Sequence, residues 1–408
     1  MLIPDRRPQR AGQALVLMVL AMVAVVSGMA LIIDGGNAWA QQRITQSGND
    51  AASEAGTIVL ARYNAGQTVP AGGWDAEVLA KINASATSNG VTVPVDAATG
   101  RRAAYYTDIC GTLLRPDGTK ATSNADAAVV GGGTLPTNNH TDPDCPSGIV
   151  GPVAGVQVSA QRKFDTYVSR IMGISTFTST TNATAVTGLL QDCSAEQGCI
   201  VLPVTAPVTI VTCDGTGEAE PTPVEWPRNV RVIVPLCKNN PGNVGWLDWT
   251  PKGGGASELE NSILHPDNPP ISLPSWNYVT ATGDVNSKKI EDALNTYMDE
   301  DVMFPMFDLT CADDPDISKV KIAPLYGCPA GQVGGNGSNQ WYRFPKFSVF
   351  HLERAYVNGN NKAACDTGNG STSCLIGVFV DFVTTGTVGP GIGGGSTAGG
   401  VTGVQLIR

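Results

Sequence analysis

The sequence predicts an α+β protein: an N-terminal transmembrane helix continuing into an amphipathic stem helix, followed by a β-rich, disulfide-containing ectodomain. Three observations predict it. The stretch "QALVLMVLAMVAVVSGMALIID" holds twenty uncharged, almost wholly apolar positions, 14 to 33. All ten cysteines follow it. Beyond residue 90, runs of β-branched and aromatic residues recur between Gly-, Pro- and Asn-rich turns, the pattern of strands.

Twenty helical residues rise about 30 Å, the thickness of a bilayer's hydrocarbon core. Later apolar runs, such as 208–212 and 375–383, are strand-sized, so one span is expected. A lone segment in lipid can pair all its backbone groups only as a helix. The flanks orient it. Arg6, Arg7 and Arg10 precede the span against a single Asp5, and no Lys or Arg follows until Arg43. Basic residues stay in the cytoplasm, so 1–12 reads as a cytoplasmic basic tail, 13–33 as the span of a single-pass protein of the cytoplasmic membrane, and the rest as translocated. Trp39 falls where interfacial tryptophans anchor a span.

Three arginines against one aspartate give residues 1–33 a net charge of +2, so with −10 for the chain the remainder carries −12. An acidic ectodomain argues against nucleic acid or anionic lipid surfaces as its partners. The bilayer itself is the partner of the span. An exported signal peptide has an apolar core of ~7–15 residues with a cleavage site close behind. Here the core is longer, and the one A-x-A pattern, Ala38-Trp39-Ala40, lies seven residues past it. The segment therefore reads as an uncut anchor, the alternative being a cut before Gln41.

Cys110, Cys145, Cys193, Cys199, Cys213, Cys237, Cys311, Cys328, Cys365 and Cys374 all lie on the expected outer side, where an oxidising compartment makes them read as up to five disulfides. Spacing leaves the connectivity open. Pairing of neighbours closes short loops of 35, 6, 24, 17 and 9 residues. Zinc is disfavoured, since no CxxC occurs and His140, His265 and His351 are scattered.

After Asp34 the chain reads as a stem helix over 34–64, loosened at Gly35-Gly36 because glycine weakens a helix. Ala51, Ala55, Ile58, Val59 and Arg62 fall at helical spacing. Gly48, Ala52 and Gly56 make a small-residue row that allows close helix approach, either to a partner helix or to the protein's own domain. Asp34 has two readings, a docking contact with a partner and an N-cap of the outer helix.

The stretch "RAGQALVLMVLAMVAVVSGMALIIDGGNAWAQQRITQSGNDAASEAG" resembles the N-terminal module of the TadE/TadG-like family of the Flp-type (tight-adherence) pilus assembly system. The matching positions are Arg10, Gly12 and Gln13 before the span, then Asp34, Trp39, Arg43, Gln46, Asp50-Ala51-Ala52 and Ala55-Gly56. The likeness covers about fifty residues. Segment 156–185, "GWLDW" and "GVQLIR" resemble longer TadG-related chains. Pilins processed in that system carry Gly at the cut and Glu five residues on. Here Leu17 stands in the Glu position. The resemblance therefore implies an uncut, non-catalytic accessory protein with pilus or secretion-platform proteins as partners.

A turn-rich segment, 64–75, is expected to end the stem, with a short helix over 76–86 and strands at 91–97 and 101–111. Residues 115–151 read as a long loop tied by Cys110 and Cys145. Segment 153–190 reads as strand–helix–strand, with Phe164, Tyr167, Val168 and Ile171 on one helical face and Gly173 as C-cap, closing a first α+β ectodomain over 76–190. A second, β-rich ectodomain over 191–408 has strands at 200–213, 229–236, 342–352 and 374–384, a helix over 287–302 and a flexible connector at 388–400.

Catalytic signatures are missing from the sequence: no GxxxxGK[ST], HExxH or GxSxG. No cofactor or small-molecule substrate is indicated. Asp316-Ile-Ser318-Lys-Val320 lacks the second serine of the D-x-S-x-S metal motif, and the run from Asp313 to Asp316 reads as a turn. His265 and Asp267 lack an assignable nucleophile. Trp246 and Trp249 fit either an aromatic core or a sugar-stacking groove with Trp276, the latter making the chain a tethered carbohydrate-binding protein.

Overall fold

In the computed structural model, the first helix, α1, is one uninterrupted rod, Ala11–Asn64, rising about 80 Å. The structure describes residues 11–95, 102–139, 151–197, 199–213, 219–236, 245–247, 256–280, 287–311, 340–357, 362–365, 373–389 and 400–407. Arg6, Arg7, Arg10, Cys145, Cys237, Cys328, Trp249 and the 313–316 acidic run lie outside them. So does most of the expected 388–400 connector.

Helix α1 passes through Gly35 and Gly36 without a break, which corrects the loosened junction and the N-cap role for Asp34. Past Asn64 the chain turns, and the short helix expected over 76–86 forms as α2, Trp74–Ser88, which packs back on α1. On its other face α1 meets a six-stranded sheet. Its strands are β1 (Ala104–Thr107), β2 (Gly155–Asp165), β3 (Thr176–Leu190), β4 (Val383–Thr385), β5 (Val388–Gly389) and β6 (Thr402–Ile407). The order is β1-β2-β3-β6-β4, and β5 also pairs with β3. The C-terminal residues thus return as a strand beside β3, so the first unit is completed by the end of the chain.

Residues 163–172 are not a helix. Strand β2 runs to Asp165, a 3-10 turn spans Ser169–Met172, and β3 returns in register from Asp165↔Thr176 to Gly155↔Val186. The apolar residues at helical spacing do not share a buried face. Phe164 pairs edge-on across the strands with Phe177 at 6.2 Å, while Tyr167 and Ile171 are exposed. Gly173 does adopt the left-handed conformation, closing the turn.

The first core lies between α1, α2 and the sheet: Leu60, Val78, Ile82, Tyr106, Val156 and Val158 are all fully buried. The described part of the 115–151 loop, 115–139, is held by side-chain turns. Asp126 accepts from the amides of Thr122 and Ser123 and pairs with Arg115. Of the expected 91–97 strand, the described residues, 91–95, form isolated bridges at Thr92 and Val95.

A nine-stranded sheet makes the second unit. Its centre pairs Glu300–Phe307 antiparallel with Lys346–Tyr356, and that with Cys374–Val380. Phe304, Phe350 and Phe379 stack in its core, 4.9–6.2 Å apart. The expected 287–302 helix is shorter. It covers Lys288–Leu294 plus one 3-10 turn and stops where Asp299 takes a positive φ of 63°, before the Glu300–Phe307 strand. Two neighbour disulfides are formed, Cys193–Cys199 and Cys365–Cys374. Cys110 and Cys213 are disulfide-bonded too. Arg228 and Asp381 form a buried ion pair, and Arg228 also donates to the Ala65 carbonyl, joining the end of α1 to the second unit.

Candidate functional site

Four surfaces of α1 carry the candidate residues, and the helix period separates them. The first is residues 14–29, which are exposed throughout. Gly12 and Gln13 lie in its first turns. Among the described residues α1 is the one helix long and apolar enough to cross a membrane.

The second surface is the small-residue row. Gly48, Ala52 and Gly56 are buried. A methyl built on Gly56 would lie 2.8 Å from Ile82 Cγ1 and 2.9 Å from its Cδ1, and one on Gly48 would lie 2.9 Å from Val91 Cγ1. The row therefore lets α2 and Val91, just past its end, close on α1. Of the two uses open in the sequence, the structure shows the packing within the protein's own domain. As a docking surface for a partner helix, Gly48, Ala52 and Gly56 are corrected: they have no free face.

The third surface was missed by a reading based on apolar residues. Thr45, Asn49, Ser53 and Thr57, four apart along the helix, are fully buried against the sheet. Asn49 Nδ2 donates to the Thr181 carbonyl at 2.8 Å and Thr57 Oγ1 to the Ala185 carbonyl at 3.1 Å. Asn37 and Asn64 extend the line, donating to the carbonyls of Asp165 and Val153. Each such bond contributes roughly 1 kcal/mol net, and short polar side chains let the helix sit close to the strands. The sequence-based face differs. Of its residues Val59 is buried, but Ile58 is exposed, and Ala51, Ala55 and Arg62 are only half-buried. The usable signal was the repeat of short hydroxyl and amide side chains at a strict spacing of four.

The fourth surface runs along Trp39, Arg43, Gln46 and Asp50, at spacings of four, three and four. The Arg43 guanidinium stacks on the Trp39 ring at 4.3 Å. Gln46 Nε2 donates to Asp50 Oδ1 at 2.6 Å and to the Asn182 carbonyl at 3.3 Å. Arg43, Gln46 and Asp50 line an open groove with Ser47, Asn182 and Ile407. Burial, and secondly the Asp50 charge, push the Glu54 carboxyl up. Four of the residues singled out by the resemblance are thus brought together on one partly exposed ridge.

Asp34 stands apart. It is 4 % exposed, and its carboxylate accepts from the amides of Tyr167 (2.7 Å), Val168 (3.1 Å) and Ser169 (2.5 Å). These are the unpaired donors at the start of the 3-10 turn between β2 and β3. The Ser169 hydroxyl contributes most, and with those amides holds the carboxyl down at about 2 against its ordinary 3.8, although burial opposes it. The acceptor capacity read as a contact for a partner is used within the chain, 133–135 residues away.

Other candidates are dispersed. Trp246 is core, and Trp276 is half-buried on the strand Ser275–Thr280. His265 and Asp267 are exposed beyond helix Ala256–Leu264. Among the described residues no group of three His, Cys, Asp or Glu side chains is placed to hold a metal ion. Comparison of the chain with protein-family models, with curated proteins and with solved structures gave no match, so its own residues carry the functional reading.

Proposed function

We propose that this chain is a membrane-anchored accessory protein resembling TadE/TadG, a minor pseudopilin-like component acting without catalysis in Flp-type pilus assembly or tight adherence. One observation carries the reading: a single continuous helix whose bare apolar third leads directly into a stem built into a folded body. Residues 13–33 then lie in the cytoplasmic membrane, the basic tail on the inner side and the cystine-containing body outside. Because the small-residue row is used internally, association with pilus or platform proteins falls to the bare span and to the ridge of Trp39, Arg43, Gln46 and Asp50.

The test is photo-crosslinking of the full chain in its native membranes, with the crosslinking side chain placed at Val23 in the span and at Ser47 beside the ridge. Crosslinks to pilin subunits or to membrane proteins of a secretion platform are expected at one or both positions. Crosslinks to lipid and bulk membrane protein alone, with no such component enriched, would remove the assembly role.

A further inference from the structure

The turn that Asp34 holds is unusually apolar for an exposed loop. In 166–175, "TYVSRIMGIS", Ile171 is 82 % and Tyr167 68 % exposed, and Ile174 is exposed as well. Arg170 is its sole charged residue and is exposed too. Among the described residues, Tyr167, Ile171 and Ile174 join none of the buried apolar clusters of the body.

Their position supplies a reason. From Asp34 to Asn64, α1 runs about 45 Å, and β3, the strand beside it, about 50 Å. The hairpin is therefore as long as the stem, and its tip ends level with Asp34, where the apolar stretch ends. Ala30, one turn back on the face Asp34 occupies, is buried, unlike residues 14–29. Around the same level Trp39, 61 % exposed, borders a groove with Gly35, Ala38, Phe164 and Phe177. Four aromatic rings, Trp39, Phe164, Tyr167 and Phe177, with Ile171, Ile174 and Arg170, thus lie near the level where the helix leaves its bare segment, and Arg43 stacks on Trp39 just beyond. Aromatic rings with cationic side chains are the residues that settle at headgroup depth.

We propose that the β2–β3 tip is a second membrane contact: Tyr167, Ile171 and Ile174 sit in the interface of the leaflet from which α1 emerges, with Arg170 at the lipid phosphates. The inference rests on the reading of 13–33 as a membrane anchor and adds a docking surface to it. Asp34 is then a positioning residue. By clamping the tip to the helix one residue past the span, it fixes the tip's depth and keeps the body from swivelling on the rod. The overall acidity of the body does not oppose this: within 166–175 Arg170 is the one charged residue, the Asp34 carboxylate beside it is engaged by the tip's own amides, and the flanking Lys163 and Asp165 cancel.

The experiment uses the full chain, its cystines intact, with an environment-sensitive fluorescent amino acid placed at Ile171 or, separately, at Val23. The protein is reconstituted in phosphatidylethanolamine/phosphatidylglycerol vesicles carrying spin-labelled lipids as shallow or deep quenchers. The probe at 171 is expected to emit blue of its water value and to be quenched several-fold more by the shallow than by the deep quencher. At 23 the order reverses. Asp34→Asn is expected to weaken quenching at 171 and leave 23 unchanged. Water-like, unquenched emission at 171 with deep quenching intact at 23 overturns the second contact and leaves the anchor standing. Loss of quenching at 23 overturns the anchor, and the tip contact with it.

Discussion

Adding one methyl to the row between the two helices tests the packing that joins the rod to the body. In Gly56→Ala the new carbon meets Ile82 Cγ1 and Cδ1 at 2.8 and 2.9 Å, well inside the ~3.5–4.0 Å of a relaxed carbon contact. Ile82 is fully buried and branched at Cβ, so it has little freedom to withdraw. Overpacking of this kind costs about 1–3 kcal/mol. Replacing a helical glycine by alanine returns about 1 kcal/mol. The expected net effect is a destabilisation of up to about 2 kcal/mol. Ile82→Ala alone opens a cavity and costs about 2–5 kcal/mol. In the double variant the methyl of residue 56 enters that cavity, so the pair is expected to cost at least 1 kcal/mol less than the sum of the two changes. The assay is hydrogen exchange of the α2 amides, residues 74–88, in the full chain, which reads the local opening free energy of that helix. Additivity within about 0.5 kcal/mol would refute the contact, and with it the conclusion that the row is closed to partner helices.

Three further outcomes are expected. Gly35→Ala and Gly36→Ala have open space around the added methyl, so each is expected to gain about 1 kcal/mol of helix stability, read as slower exchange of amides 35–40. The Asp34 carboxyl is held at about 2, below its ordinary 3.8, so binding of the tip favours the ionised form. Its contribution is complete above about pH 4 and is lost as pH falls through about 2. Exchange at Tyr167, Val168 and Ser169, corrected for its intrinsic pH dependence, should accelerate in that window, whereas pH-independent protection would contradict the clamp. Arg228→Met leaves Asp381 buried without its partner and removes the tie to Ala65. A loss of about 3–5 kcal/mol is expected in chemical unfolding, and a loss under 1 kcal/mol would show that the two units are held together elsewhere.

Much of this architecture is legible in the sequence because it follows from local rules. The continuous apolar run, the turn-rich 64–75, helix α2 and the neighbour cystines at 193/199 and 365/374 all belong to that class. Two features of the site are not, for related reasons. Periodicity arguments assume that apolar residues mark the buried side. At 163–172 the apolar residues at helical spacing belong to an exposed hairpin tip, and the turn that places them is stabilised by a carboxylate more than 130 residues earlier. Along α1, Thr45, Asn49, Ser53 and Thr57 are buried with their polar groups paired: Asn49 and Thr57 donate to the carbonyls of Thr181 and Ala185, and Thr45 and Ser53 to carbonyls of the helix itself. Thr181 and Ala185 belong to a strand that no local pattern could align with the helix. The bare third of α1 and its packed remainder differ little in helix propensity. What separates them is the apolarity of the first and the sheet and second helix that lie alongside the rest.

The account stands on that bare third being held in lipid and never removed. Alkaline carbonate extraction of native membranes, followed by an intact-mass measurement of the extracted chain, tests this most directly. The expected result is a chain that stays with the membrane pellet and retains residues 1–40. A carbonate-soluble chain beginning at Gln41 would contradict it, leaving the stem and body as a released protein without a membrane role.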